Sequence, residues 1–239
     1  MRRMPYQELF DKQVVSKQFN SDQLLKLLLD DSIYPIAHEI IQVKKNTILL
    51  HEDEVHEHLY IIQSGLCSTT KDGHIKSFLK EEEVIGMNNI LGNEASSFTI
   101  TALTNMVLLK FTKEDVMLKL MHLQEGLFFL YNDMKTMNQH MVQRDILHVV
   151  DTKERLKMNI VYLGVLYGNE MQNQLILPKN FTKKMISNFI NLTPTTVYNI
   201  CKQLVEEGFL LEGAQNIVVN KEVAAHELAV ITGLGVLNV

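Results

Sequence analysis

The sequence predicts an α+β chain in three consecutive parts: an N-terminal antiparallel β-roll, a long helix, and a C-terminal helix-turn-helix with a β-wing. Three observations predict it. Short strand-like runs separated by turn signals fill residues 45–111. From Lys113 the apolar spacing switches to alternating threes and fours. Residues 179–206 then hold two short amphipathic helices in a locally basic stretch. The expected boundaries are 1–115 for the roll, 116–150 for the long helix and 151–239 for the last part.

The strand-like runs are "NTILL", "HLYIIQ", "LCSTT", "IKSFLK", "FTITAL" and "MVLLKF". Ser64-Gly65, Lys71-Asp72-Gly73-His74 and Gly92-Asn93 punctuate them. Asp-Gly between two such runs is a strong hairpin signal, because both central residues of the tight turn need positive φ. Several short strands with regular turns give a barrel or sandwich. The preceding segment, Ser21 to about His38, reads as short helices.

In the next part Leu120, Leu123, Leu127, Leu130, Met134, Met137 and Met141 are spaced as heptad a and d positions. The pattern runs for about 33 residues, a helix about 50 Å long. Gly126 is its weak point. Such a stripe either lies against its own domain or is buried against a second copy; a homodimer interface is the expectation. Asp151 and Glu154 then form an acidic variant of a capping box, opening a helix that stops near Gly168.

Residues 179–206 read "KNFTKKMISNFINLTPTTVYNICKQLVE". Helices fit about 182–189 and 194–206, with Ile190-Asn191-Leu192 between them. Thr193 can cap the second and Pro194 take its first position, where a missing N–H does no harm. Val197, Ile200, Cys201, Leu204 and Val205 share one face. Thr195, Thr196, Tyr198, Asn199 and Lys202 lie on or near the opposite one, with Lys183 and Lys184 in the first helix. Asn pairs with adenine, Thr meets the thymine methyl and Lys neutralises phosphate. Together with Thr193 these are the candidate DNA-contacting residues of a helix-turn-helix. Gly208 suits the left-handed end of the second helix. "FLL" and "IVV", flanking residues 212–216, would form the wing.

Charge agrees with a local rather than a global interface. The chain carries a net charge of −5, against uniform coating of nucleic acid. Residues 179–205 nevertheless hold Lys179, Lys183, Lys184 and Lys202 and no acid. No run of about 18 apolar residues is present to span a membrane, and the start lacks a signal peptide's apolar region. The expected location is cytoplasmic. Two cysteines, Cys67 and Cys201, provide neither a disulfide framework nor a four-thiolate cluster.

The segments "EHLYIIQSGLCSTT", "EEEVIGMNNILG", "TALTNMVLLKF" and "FTKKMISNFINLTPTTVYNICKQLVEEGFL", in that order, resemble the Crp/Fnr superfamily of bacterial transcription regulators over residues 40–220. Within it the chain looks most like the PrfA-type branch, which also lacks the nucleotide signature and extends past the wing. The resemblance implies a roll of the cyclic-nucleotide-binding kind, a homodimer, and a palindromic double-stranded DNA site. It also marks departures. Cyclic-AMP-binding members carry Glu after the glycine matching Gly86 and Arg-Ser some ten residues on; here Met87 and Ser96-Ser97 stand there. No cyclic-nucleotide response of the usual kind is expected, and the effector, if any, is unassigned. Many relatives place Arg and Glu at Pro194 and Thr195 and Arg at Asn199, so the family's usual half-site does not carry over.

One motif favours another class. "HEDEVHEH", residues 51–58, gathers three histidines and four carboxylates. His51 and His56 are five apart, which breaks the helical zinc-protease pattern. His56-Glu57-His58 partly matches the first motif of the cupins, giving a cupin-like metalloprotein using His51, His56 and His58 as the alternative. The glycine spacing and the missing glutamate argue against it. A charged turn between two strands is expected instead, with no metal, no cofactor and no enzymatic activity. The apolar tail "ELAVITGLGVLNV" is expected to pack against the last domain.

Overall fold

The structure, a computed structural model, describes residues 11–212 and 216–234. The chain divides into two compact units at Asn138/Gln139. The first opens with α1 (Lys12–Gln18) and α2 (Ser21–Leu28), started by side-chain caps from Asp11 and Asn20. Residues 29–38, expected to be helical, form turns and irregular chain.

Eight strands follow: β1 (Glu39–Val43), β2 (Ile48–Leu50), β3 (His58–Ser64), β4 (Cys67–Lys71), β5 (His74–Leu79), β6 (Val84–Ile85), β7 (Thr99–Ala102) and β8 (Met106–Thr112). They build two antiparallel four-stranded sheets, ordered β1-β8-β3-β6 and β2-β7-β4-β5. This is the jelly-roll-like domain the sequence predicts. Asp72 and Gly73 both take positive φ (51° and 74°) between β4 and β5, as the hairpin signal requires. β1 lies outside the predicted runs. It is an edge strand with Glu39 and Ile40 exposed, and its pairing with β8 defines it more than its own pattern does.

The apolar density of β3 and β8 has a physical reason. Their sheet is covered on both faces. Leu59, Ile61, Leu109 and Phe111 pack with Phe19, Leu24, Leu28 and Val116 of the helices, while Ile62 and Leu108 pack with Cys67, Ile100 and Ala102 of the other sheet. A strand buried on both sides loses its polar alternation and reads as a continuous apolar run.

The long helix is two helices. α3 (Lys113–Met121) and α4 (Leu127–His148) are separated by turns at residues 122–126. At Gly126 a Cβ would stand 1.9 Å from the Leu120 carbonyl oxygen, so the close approach that breaks the helix needs glycine. The break corrects the uninterrupted heptad reading. Leu120 is fully buried in the roll's helical core, and Leu123 and Leu130 pack against it. Leu127, Met134 and Met141 are exposed, at 60%, 59% and 45%, in line with Tyr131, Val142, Ile146 and Val149. Leu120 therefore serves the domain core. Two buried lysines fix α3: Lys119 donates to the carbonyls of Leu28 and Asp30, and Lys113 to that of Asn89.

In the second unit α5 (Thr152–Tyr167) starts at Asp151, whose carboxylate accepts from the amides of Lys153 and Glu154. Glu154 does not close the expected capping box; it pairs with Lys157. A three-stranded sheet, ordered β11-β10-β9, joins β9 (Asn169–Met171), β10 (Gln174–Ile176) and β11 (Val218–Asn220). α6 (Lys183–Phe189) and α7 (Pro194–Glu206) lie between β10 and β11 in sequence. The last helix, α8 (Ala225–Gly233), packs on α5, where buried Glu227 forms an ion pair with Lys157. The tail thus packs as expected as far as Leu234, and its final residues lie outside the described ones.

Candidate nucleic-acid interface

The turn between α6 and α7 is fixed by backbone bonds. The amide of Leu192 donates to the Ser187 carbonyl and that of Asn191 to Asn188. Asn191 takes φ 55°, a left-handed residue that lets the chain reverse in three residues. Thr193 caps α7, its Oγ1 accepting from the Thr196 amide at 3.1 Å, and Pro194 occupies the first turn. Oγ1 of Thr193 also lies 2.8 Å from Oγ1 of Thr196. These two hydroxyls are spent on starting the helix, which sets where the next residues point.

Val197, Ile200, Cys201 and Leu204 are buried, as the spacing predicts. Burial pushes the Cys201 thiol up from its usual range, against the opposing charge of Lys183, which keeps it a core thiol. The other face is open: Thr195, Tyr198, Asn199, Lys202 and Gln203 are exposed, and Thr196 is half-buried. Lys183 Nζ lies 5.1 Å from the centroid of the Tyr198 ring and Lys202 Nζ lies 5.0 Å from it. An aromatic ring flanked by two ammonium groups joins α6 to α7 and holds both charges at the surface. Lys184 is exposed beside Lys183. Gly208 ends the helical segment with φ 72°.

Charge accounting singles out this face. Lys153, Lys157 and Lys221 are ion-paired with Glu207, with Glu154 and Glu227, and with Glu170. Among the described residues of the second unit, Lys179, Lys183, Lys184 and Lys202 have no carboxylate partner. Sequence reasoning left Gln203 off the candidate set; it lies one turn on from Asn199, on a stripe that the helical period alone would have found. Beside α7, Leu210 bridges to Val219 and the Leu211 amide donates to the Val218 carbonyl. Residues 213–215, within the segment where the wing is expected, lie outside the described residues.

The histidine-rich turn is structural. His56 Nδ1 donates to the His58 carbonyl at 3.0 Å and Nε2 lies 3.0 Å from the Asn89 side-chain amide. Burial and the nearby Lys113 charge hold the His56 ring below its usual pKa. Lys71 pairs with Glu52 and Asp53. His51 is exposed, and among the described residues no group of three or more His, Cys, Asp or Glu side chains is placed to hold a metal. The cupin alternative finds no support.

Residues 40–122 match the cyclic nucleotide-binding domain family. No curated protein matches the chain. Its fold is similar to solved structures of Crp/Fnr-type regulators. FixK2 from Bradyrhizobium japonicum is 18% identical with a TM-score of 0.66, over 81% of this chain and 98% of that one. A cyclic nucleotide-binding domain containing protein from Listeria monocytogenes is 21% identical with a TM-score of 0.65, over 83% and 96%. A CRP-family transcriptional regulator from Thermus thermophilus is 14% identical with a TM-score of 0.61, over 79% and 96%. At these identities the likeness establishes the fold. Among the described residues no helix is long and apolar enough to cross a membrane.

Proposed function

We propose that this chain is a sequence-specific, DNA-binding transcription regulator of the Crp/Fnr type, and not an enzyme. The observation that carries the reading is the open face of α7: Thr195, Asn199 and Lys202 beside Tyr198, with Lys183 and Lys184 adjacent, in the part of the second unit where lysines lack carboxylate partners. In this reading α7 enters the major groove and the lysines neutralise phosphate. Thr193 and Thr196 set the N-terminus of α7 at the groove. The hairpin at Leu210 and Val219 serves as the wing. The regions divide as roll (1–115), a helical connection (116–150) whose second helix, α4, carries the dimer stripe, and DNA-binding part (151–239).

The regulator works as a homodimer through the exposed stripe of α4, Leu127, Met134 and Met141, with Met137 at its edge. Two copies related by a twofold axis read an inverted repeat. The response differs from that of cyclic-AMP-binding relatives. Met87 is buried in the apolar core of the roll, and the Ser96 hydroxyl donates to the Phe98 carbonyl. Neither supplies the cation that a buried phosphodiester needs. These departures, and a helical extension past the wing, fit the PrfA-type branch. The test is selection from random duplexes by purified chain at moderate salt. The reading predicts an enriched inverted repeat. If no sequence is enriched with chain alone or with cell extract added, the reading fails.

A further inference from the structure

The α7 face carries more than a general affinity for DNA. Thr195, Asn199 and Gln203 are spaced at i, i+4 and i+8 and all three are exposed. They form a gently winding line of about 12 Å along the helix, the length of three to four base-pair rises. The amides of Asn199 and Gln203 have no side-chain hydrogen-bond partner among the described residues. By contrast, the hydroxyls of Thr193 and Thr196 are engaged with each other.

The chemistry of this line is one-sided. A side-chain amide matches the N6 donor and N7 acceptor of adenine bidentately, and a threonine methyl packs on the C5 methyl of thymine. The usual reader of guanine is arginine, whose fork spans O6 and N7. Residues 179–206 contain no arginine. The two arginines of the second unit are turned inward: Arg144 donates to the Phe189 carbonyl and lies over its ring, and Arg155 donates to the Val150 carbonyl. Lysine could also reach guanine, but the ammonium groups of Lys183 and Lys202 are both drawn to the Tyr198 ring, 5.1 and 5.0 Å from its centroid.

We infer that α7 is a reader of A·T base pairs, with Asn199 and Gln203 each pairing with an adenine and Thr195 packing on a thymine methyl. Gln203 is thereby a specificity-determining residue. The inference rests on the regulator reading proposed above.

The test uses the full chain and the duplex recovered by selection. Each base pair of the half-site is exchanged in turn, and affinity is measured by fluorescence anisotropy for wild type, N199A, Q203A and T195S. Wild type is expected to lose about tenfold or more when A·T becomes G·C at two positions. N199A is expected to abolish the loss at one of them and Q203A at the other. Replacing thymine by uracil removes only the methyl, so it should weaken wild type at one position several-fold and leave T195S unmoved. All three positions are exposed, and thermal melting checks that each variant is folded. If the half-site's discriminated positions are G·C, or the variants retain the wild-type profile, the inference is overturned while the regulator reading stands. If selection recovers no sequence with chain alone or with cell extract added, the regulator reading itself fails.

Discussion

Lys183 of α6 sits over the ring of Tyr198 of α7, its Nζ 5.1 Å from the ring centroid. With Lys202 on the same ring, the two helices share one charged aromatic post. Tyr198→Ala removes the post and leaves both lysines on flexible stems. Duplex affinity is expected to fall several-fold with little change in sequence preference. Lys183→Ala and Lys202→Ala should weaken all sequences alike and make the log–log salt dependence shallower by about 0.9 for each phosphate no longer neutralised. Titrations at several salt concentrations check this.

Thr193 holds the start of α7 through the amide of Thr196 at 3.1 Å. Thr193→Ala removes that cap and is expected to cost about 0.5–2 kcal/mol. Thr193→Ser keeps the oxygen and should stay close to wild type. Urea unfolding of the three proteins decides it, the serine variant separating the missing cap from the missing methyl.

Met134 is 59% exposed on α4. In the proposed homodimer it is buried, and Met134→Glu sets two carboxylates into an apolar seam. The variant is expected to sediment as a monomer where wild type sediments as a dimer. Leu120→Ala, by contrast, should cost about 2–5 kcal/mol of folding stability, because Leu120 is fully buried within the roll's own core.

Glu83 and Asp133 give the roll a pH dependence. Burial raises the Glu83 carboxyl to about 7, aided by the negative charge of Asp133 and opposed by the Lys80 amide; burial raises Asp133 to about 6. A carboxyl whose folded pKa lies above its unfolded value binds its proton more tightly when folded. Its stabilising contribution is present at low pH and is lost as pH rises through the folded value. Glu83→Gln keeps the acceptor for the Lys80 amide and removes the charge. It is expected to match wild type near pH 5 and to exceed it by about 1–2 kcal/mol at pH 8. His56 acts in the same range with opposite sign: its lowered pKa withdraws stability as pH falls below about 6.5. Denaturant midpoints measured from pH 5 to 8 separate the two.

Most of the roll and the α6–α7 pair was legible because local chemistry and tertiary structure agree there. Asp72-Gly73 needs two positive φ values wherever it packs, and Thr193-Pro194 starts a helix by its own capping and fixed φ. The edge strand β1 was not legible, since a partner strand defines it. At residues 122–126 the sequence marks only a weak point, Gly126, because Leu120, Leu123 and Leu127 keep heptad spacing across it; the close approach of Gly126 to the Leu120 carbonyl is what makes it a break. On α7 the apolar period identified the buried side and hence the open one. Which open hydroxyls were already engaged, Thr193 with Thr196, is a matter of side-chain geometry that spacing does not carry. Gln203 lies more than two turns beyond the helix start, where the capping and base-reading signals are concentrated, and only the helical period points to it.

The most direct measurement is parallel selection from random duplexes by wild type and by a chain carrying Asn199→Ala and Lys202→Ala together. The account predicts that wild type enriches an inverted repeat, whereas the double variant enriches it weakly and with a relaxed position in each half-site. Equal enrichment of the same repeat by both proteins would place the DNA-reading surface elsewhere and contradict the assignment of α7 as the reading helix.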